Sequence, residues 1–206
     1  MRQLFIGKLL FLLLSIPLNS NAQTSIGLEV GLNFAGNSPS PRKTLFLRSL
    51  HPGLDGGLFI EKAITKRMAI RTSLLYTMRF FLYGKRDSSF INAYRALHCI
   101  TLPVLVSFKA NSKLSFDFGI EIIGIVTTDL PSFSTPAIHL GLKAAIAYQI
   151  TPVLALRLYG VYDLIKIRQD SSPNNFNYYN SISLGLKLAY TFKRIKKRRI
   201  IRSPGI

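Results

Sequence analysis

An alternation of apolar with small or polar residues, of period two, constrains this chain more than any other feature. From 25 to 35 the even positions are Ile26, Leu28, Val30, Leu32 and Phe34, and the odd ones are Ser25, Gly27, Glu29, Gly31, Asn33 and Ala35. That pattern predicts a strand with one apolar face. It returns at 53–61, 68–80, 97–109, 114–126, 138–149, 153–164 and 181–192. Each segment is about the length that a tilted strand needs to cross a bilayer. No apolar run reaches the length of a helical span, although 48% of the residues are hydrophobic. Within lipid only helices and closed barrels satisfy every backbone hydrogen bond, so the alternative to a soluble sandwich is a barrel.

The connections separate the two. Long ones fall at 36–52, 82–96, 127–136 and 165–180, and short ones at 62–67, 110–113 and 150–152. Strict alternation of long and short is the habit of outer-membrane barrels, which carry long extracellular loops and short periplasmic turns. Aromatic residues on the apolar face form two groups at opposite strand ends. Phe108, Tyr148, Tyr190 and Phe192 lie at the turn end, and Phe34, Tyr76, Phe80 and Tyr162 at the loop end. The expected fold is all-β: an eight-stranded, antiparallel, up-and-down transmembrane β-barrel over 23–192. Pro103 lies inside the fourth predicted strand and has no N–H to donate, so it marks a bulge or an unpaired position.

Residues 1–22 read as a signal peptide: Arg2 and Lys8, an apolar stretch from Leu9 to Leu18, then Ser20-Asn21-Ala22 before Gln23. Export fits the single cysteine, Cys99, which is read as a small buried residue. Of the net charge of +18, seven lie in the last segment and two in the first 22 residues. Residues 193–206 hold Lys193, Arg194, Lys196, Lys197, Arg198, Arg199 and Arg202 without an acid. This basic periplasmic tail reads either as a solvated segment or as a tether to anionic envelope components, whether lipid headgroups, the cell wall or an acidic periplasmic partner. Export argues against nucleic acid as the partner.

Ile26-Gly27-Leu28-Glu29-Val30-Gly31-Leu32-Asn33-Phe34 resembles the first strand of the PorT-like outer-membrane β-barrel family of the Bacteroidota. Ile100-Thr101-Leu102-Pro103-Val104-Leu105-Val106-Ser107-Phe108-Lys109 resembles its proline-containing fourth strand, and Tyr148-Gln149-Ile150-Thr151-Pro152 the turn before its seventh. Ser183-Leu184-Gly185-Leu186-Lys187-Leu188-Ala189-Tyr190-Thr191-Phe192 resembles its last strand, and this segment fits the pattern read by the barrel-insertion machinery. The resemblance implies residence among outer-membrane lipids and, for some members, a place in type IX secretion. The chain departs from the family at His98 and Cys99, where an acid is usual, and in its basic tail.

The polar face of the strands carries Glu29, Asp55, Glu61, Asp117, Glu121 and Asp163 against Arg71, Arg79, Lys109, Lys143, Arg157 and Lys187. Six acids meet six bases in a lumen that eight strands make only wide enough to fill with side chains. Buried charges are tolerated only in pairs, so a structural ion-pair network is expected. A selective pore would carry a ring of one sign. His139 and Asp163 are expected almost opposite each other near the loop end, where a His–Asp pair can orient a base. No nucleophile stands at a telling spacing, His51 and His98 have no ligand cluster, and no cofactor motif is present. The leading reading is a non-enzymatic outer-membrane barrel with a structural or interaction role in the cell envelope. A small-solute channel and a membrane-embedded hydrolase using His139 and Asp163 are the alternatives.

Overall fold

The structure, a computed structural model, describes residues 23–38, 50–83, 93–128, 138–164, 167–172 and 175–195. The signal peptide over 1–22, the tail from 196 and the middles of the long connections lie outside the described residues. Nine strands follow one another: β1 Thr24–Ser38, β2 His51–Ala63, β3 Met68–Tyr83, β4 Ala93–Lys109, β5 Leu114–Thr128, β6 Ile138–Gln149, β7 Leu154–Asp163, β8 Ile167–Ser172 and β9 Asn175–Ile195. Each strand from β1 to β7 pairs antiparallel with the next, β7 pairs with β9, and β9 closes the sheet on β1. The wall is therefore a closed eight-stranded barrel of β1–β7 and β9.

Between the two aromatic belts the odd-numbered residues of all eight walls face the lumen and the even-numbered ones face out. Leu32, Leu158 and Leu186 form one row of the outer face, each exposed and each paired with its neighbour across the ladder. Such a surface is stable only against hydrocarbon. The aromatics stand on it as expected. Phe108, Tyr148, Tyr190 and Phe192 are exposed at the turn end, and Phe34, Tyr76 and Tyr162 at the loop end, with Phe80 half-buried.

The three short turns share one construction. Thr65, Asn111 and Thr151 each hold the same place, and the side-chain oxygen of each accepts the backbone N–H three residues on, from Met68, Leu114 and Leu154, at 2.9, 2.8 and 3.1 Å. These are the side-chain-to-backbone turns that Thr and Asn favour. They fix the exit angle of each strand pair and hence its register.

Two expectations are corrected. The connection over 165–180 is partly strand: β8 pairs with the first residues of β9, Ile167 opposite Tyr179 and Asp170 opposite Phe176. Phe176 and Tyr178 alternate with Asn175 and Asn177, but four residues are too short a run for periodicity to mark a strand. The last wall strand also runs past Phe192, with Lys193 opposite Ile26 and Ile195 opposite Thr24 beyond a bulge at Ile26/Gly27.

Pro103 causes no bulge. It stands in register opposite Glu121 on β5, while the ladder from β4 to β3 is interrupted between Leu75↔Thr101 and Thr72↔Val104 without a shift. The missing N–H falls on the β3 side. The register shift in β4 lies instead at His98/Cys99.

Candidate functional site

The inward positions build a lumen that is polar through most of its length. Glu29, Asp55, Arg71, Arg79, Asp117, Glu121, Lys143, Arg157, Asp163 and Lys187 are all at most 6% exposed. Glu61 is half-buried and Lys109 exposed, both at the turn end. Arg71 forks between two carboxylates, Nη2 to Glu29 Oε2 at 2.7 Å and Nη1 to Glu61 Oε2 at 3.2 Å. Its guanidinium also lies 3.7 Å above the ring of Phe59. Arg157 pairs with Asp117, and Lys143 Nζ lies 3.0 Å from Glu121 Oε2. Lys187 Nζ is 3.4 Å from Asp55 Oδ2, and Arg79 Nη1 is 3.3 Å from Asp163 Oδ2. Lys109 Nζ stands 3.7 Å from Glu61 Oε1.

Adjacent strands explain some of these contacts, since Glu61 is the direct partner of Arg71. Others cross the lumen. Arg79 is on β3 and Asp163 on β7, four walls apart in a ring of eight, so their ion pair spans the interior. The hydroxyl of Tyr159 on β7 donates to Asp55 Oδ2 on β2. The Tyr159 ring itself lies between two ammonium groups, Lys143 Nζ at 4.6 Å and Lys187 Nζ at 4.5 Å from its centroid. Toward the loop end, Ala35, Leu97, Cys99 and Ile123 make a small apolar layer from both sides of the barrel, with Ile125 packed against it. Cys99 is fully buried there.

Phe59 and Tyr159 stand outside the twelve charges that the sequence singles out, yet they fill the lumen. Their signal was present. Each is an aromatic at an inward position directly opposite a glycine, Phe59 opposite Gly27 and Tyr159 opposite Gly185. A Cβ at either glycine would meet the ring of its partner. The glycines leave the space in which these rings lie across the sheet.

His139 and Asp163 are both buried and inward, and they stand near each other without being direct partners. Asp163 faces Gly141 on β6, one diagonal step from His139. On its other side Asp163 and Ser181 of β9 each lie one residue beyond the last partners of the β7–β9 ladder, Tyr162 and Ile182. The order around the wall is therefore His, Asp, Ser, with the acid in the middle. A nucleophilic relay needs the base between acid and nucleophile. Among the described residues no three His, Cys, Asp or Glu side chains cluster as a metal would require.

The turn end is open. A cavity of about 300 Å³ enters the lumen there, lined by Glu61, Arg71, Lys109, Lys113 and Arg157 together with hydroxyl and amide groups. Arg71 and Arg157, each held in an ion pair, are part of its lining.

A closed antiparallel ring of eight tilted strands, apolar outside and polar inside, defines a transmembrane β-barrel. The chain belongs to the outer membrane protein beta-barrel domain family, which matches residues 20–124, and its place is accordingly a bacterial outer membrane. The solved structure of the neisserial surface protein NspA shares the fold, with a TM-score of 0.54 and 19% identity over 84% of this chain and 98% of that one. Ail, the attachment invasion locus protein of Yersinia pestis, gives a TM-score of 0.48 at 13% identity over 83% of this chain and 99% of that one. OprG from Pseudomonas aeruginosa gives 0.46 at 8% identity over 83% and 95%. No curated protein matches the chain.

Proposed function

We propose that this is a non-enzymatic barrel with a closed lumen, serving the envelope as a structural or interaction protein through its two ends. The observation that carries the reading is the Arg79–Asp163 pair, which ties opposite walls together across the interior. A permeating solute would have to separate that pair and leave two charges unpaired in a dry site. The balanced signs of the other pairs argue in the same direction, since a selective path is lined by one sign. The wall order His139, Asp163, Ser181 weighs against the hydrolase alternative.

In this reading the chain is exported by cleavage before Gln23, and both strand termini and the basic tail face the periplasm. The motif likeness to the PorT-like barrels supports a secretion-associated role, by analogy of fold and sequence pattern. Planar-bilayer recording on the refolded barrel tests the closed lumen. No steady conductance is expected, and a sustained, sizeable ion current would replace this reading with the small-solute channel. Hydrolysis of lipid or peptide substrates that is lost in His139→Ala and Asp163→Ala would replace it with the enzyme.

A further inference from the structure

We infer that the cavity at the turn end is a binding site for an oxyanion, a carboxylate or phosphate group presented from the side of the short turns. The inference rests on the closed-lumen reading, which makes this cavity a blind pocket rather than a channel entrance.

Charge is the first argument. The lining contributes Arg71, Lys109, Lys113 and Arg157 against one carboxylate, Glu61. Glu29 and Asp117 stand behind, each already held by one of the two arginines. Four cations thus face three carboxylates, and one positive charge is left over. Deeper in the lumen the remaining groups pair one to one, Lys143 with Glu121, Lys187 with Asp55 and Arg79 with Asp163, so the surplus belongs to the mouth.

The second argument is which groups are available. The buried arginines are fixed by their carboxylates and supply a rigid positive floor. Lys113 is exposed at the turn between β4 and β5 and makes no ion pair among the described residues. Lys109 leans toward Glu61 at 3.7 Å with its side chain 45% exposed, a weak surface pair that a better anion can displace. Two lysines on either side of one turn, with Ser115 and Thr191 hydroxyls nearby, form an adjustable grip above that floor. Lysine binds phosphate and carboxylate as a point charge and needs no preset fork.

The third argument comes from the sequence. Thr191 lines the cavity, and Lys193, Arg194, Lys196, Lys197, Arg198 and Arg199 follow it along the chain without an acid. This excess of positive charge favours an anionic ligand from outside the chain.

The chain has no tryptophan, so Ser112→Trp at the mouth gives a fluorescence reporter without background. The full-length Ser112→Trp protein in zwitterionic nanodiscs would be titrated with sodium phosphate and sodium acetate at constant ionic strength. It would then be compared with nanodiscs containing phosphatidylglycerol. A saturable response that weakens at least tenfold in Lys109→Gln/Lys113→Gln is expected. A response to the soluble ions identifies a dissolved ligand, and one confined to phosphatidylglycerol identifies a headgroup. Retained heat-modifiable gel mobility reports that the double variant is folded. No response to any probe, or equal responses in the parent and the double variant, overturns the site. Conductance of the same preparation tests the closed lumen separately, because an ion current would remove that reading while leaving the loss of phosphate binding to be read on its own.

Discussion

The phenol of Tyr159 and the carboxylate of Asp55 join opposite parts of the wall, and Lys187 Nζ shares the same carboxylate oxygen at 3.4 Å. Asn33 Nδ2 donates to the other oxygen at 3.0 Å, and the contacts of Tyr159 and Lys187 to Asp55 are unequal. Tyr159→Phe removes one donor and leaves the ion pair, so it should cost about 1.5–3 kcal/mol, the range for a hydrogen bond to a charged group. Asp55→Ala leaves Lys187 buried without its carboxylate and should cost more, about 3–5 kcal/mol. Urea titration in detergent micelles, read by heat-modifiable gel mobility, gives both values. If Tyr159→Phe proved the more damaging, Asp55 would not be the hub of the lumen.

Gly185 is expected to matter only because of Tyr159. A methyl at position 185 would strike the ring, so Gly185→Ala should destabilise by about 1–3 kcal/mol, as overpacking does. In a Tyr159→Ala background the nearest atoms that the methyl would strike are gone, and the same change should cost less. A double-mutant cycle measures the coupling. Additive costs would mean that the glycine serves the backbone and not the ring.

The wall was legible in the sequence and the lumen only in part, for a physical reason. Alternation reports which face of a strand meets hydrocarbon, and the lengths of the connections report direction. Together they place Leu186 outside and Lys187 inside without any structure. Neither reports which wall stands opposite which. Glu61 with Arg71 follows from direct strand pairing, whereas Arg79 with Asp163 depends on closure and on the tilt of the ring. The offset of His139 from Asp163 depends on a register set at the Thr151 turn. The β8 hairpin alternates over too few residues to be read as a strand, and the surplus charge at the mouth appears only when Lys113 of a turn is counted with the strand residues beside it.

The pair across the lumen makes a prediction that runs against simple counting. Arg79→Leu alone strands Asp163, and Asp163→Leu alone strands Arg79. Each should lose about 3–5 kcal/mol. Replacing both removes the unpaired charge, and the apolar layer of Ala35, Leu97, Cys99 and Ile123 offers neighbours of the same kind at that end. The double variant should therefore be more stable than either single one. Urea midpoints of the four proteins decide it. A double variant at the sum of the two losses would show that the pair does not act as a unit.

The outer face predicts a dependence on depth. Leu186 pairs with Leu32 and Leu158 and lies midway along β9 between Ile182, opposite Tyr162, and the aromatic Tyr190. It is 44% exposed, and lipid is what covers it. An arginine there must carry its charge near the bilayer centre, which costs about 2–4 kcal/mol in barrels of this kind. Phe192, 57% exposed, stands at the turn-end belt beside Tyr190, where the headgroups begin. An arginine at 192 can reach those headgroups, so its cost should fall to about 0–1 kcal/mol. Leu186→Arg and Phe192→Arg, unfolded reversibly from lipid vesicles, should differ by most of that gap. Equal costs at the two positions would place the hydrocarbon elsewhere on the wall, and the belt at Phe108, Tyr148, Tyr190 and Phe192 would not mark its edge.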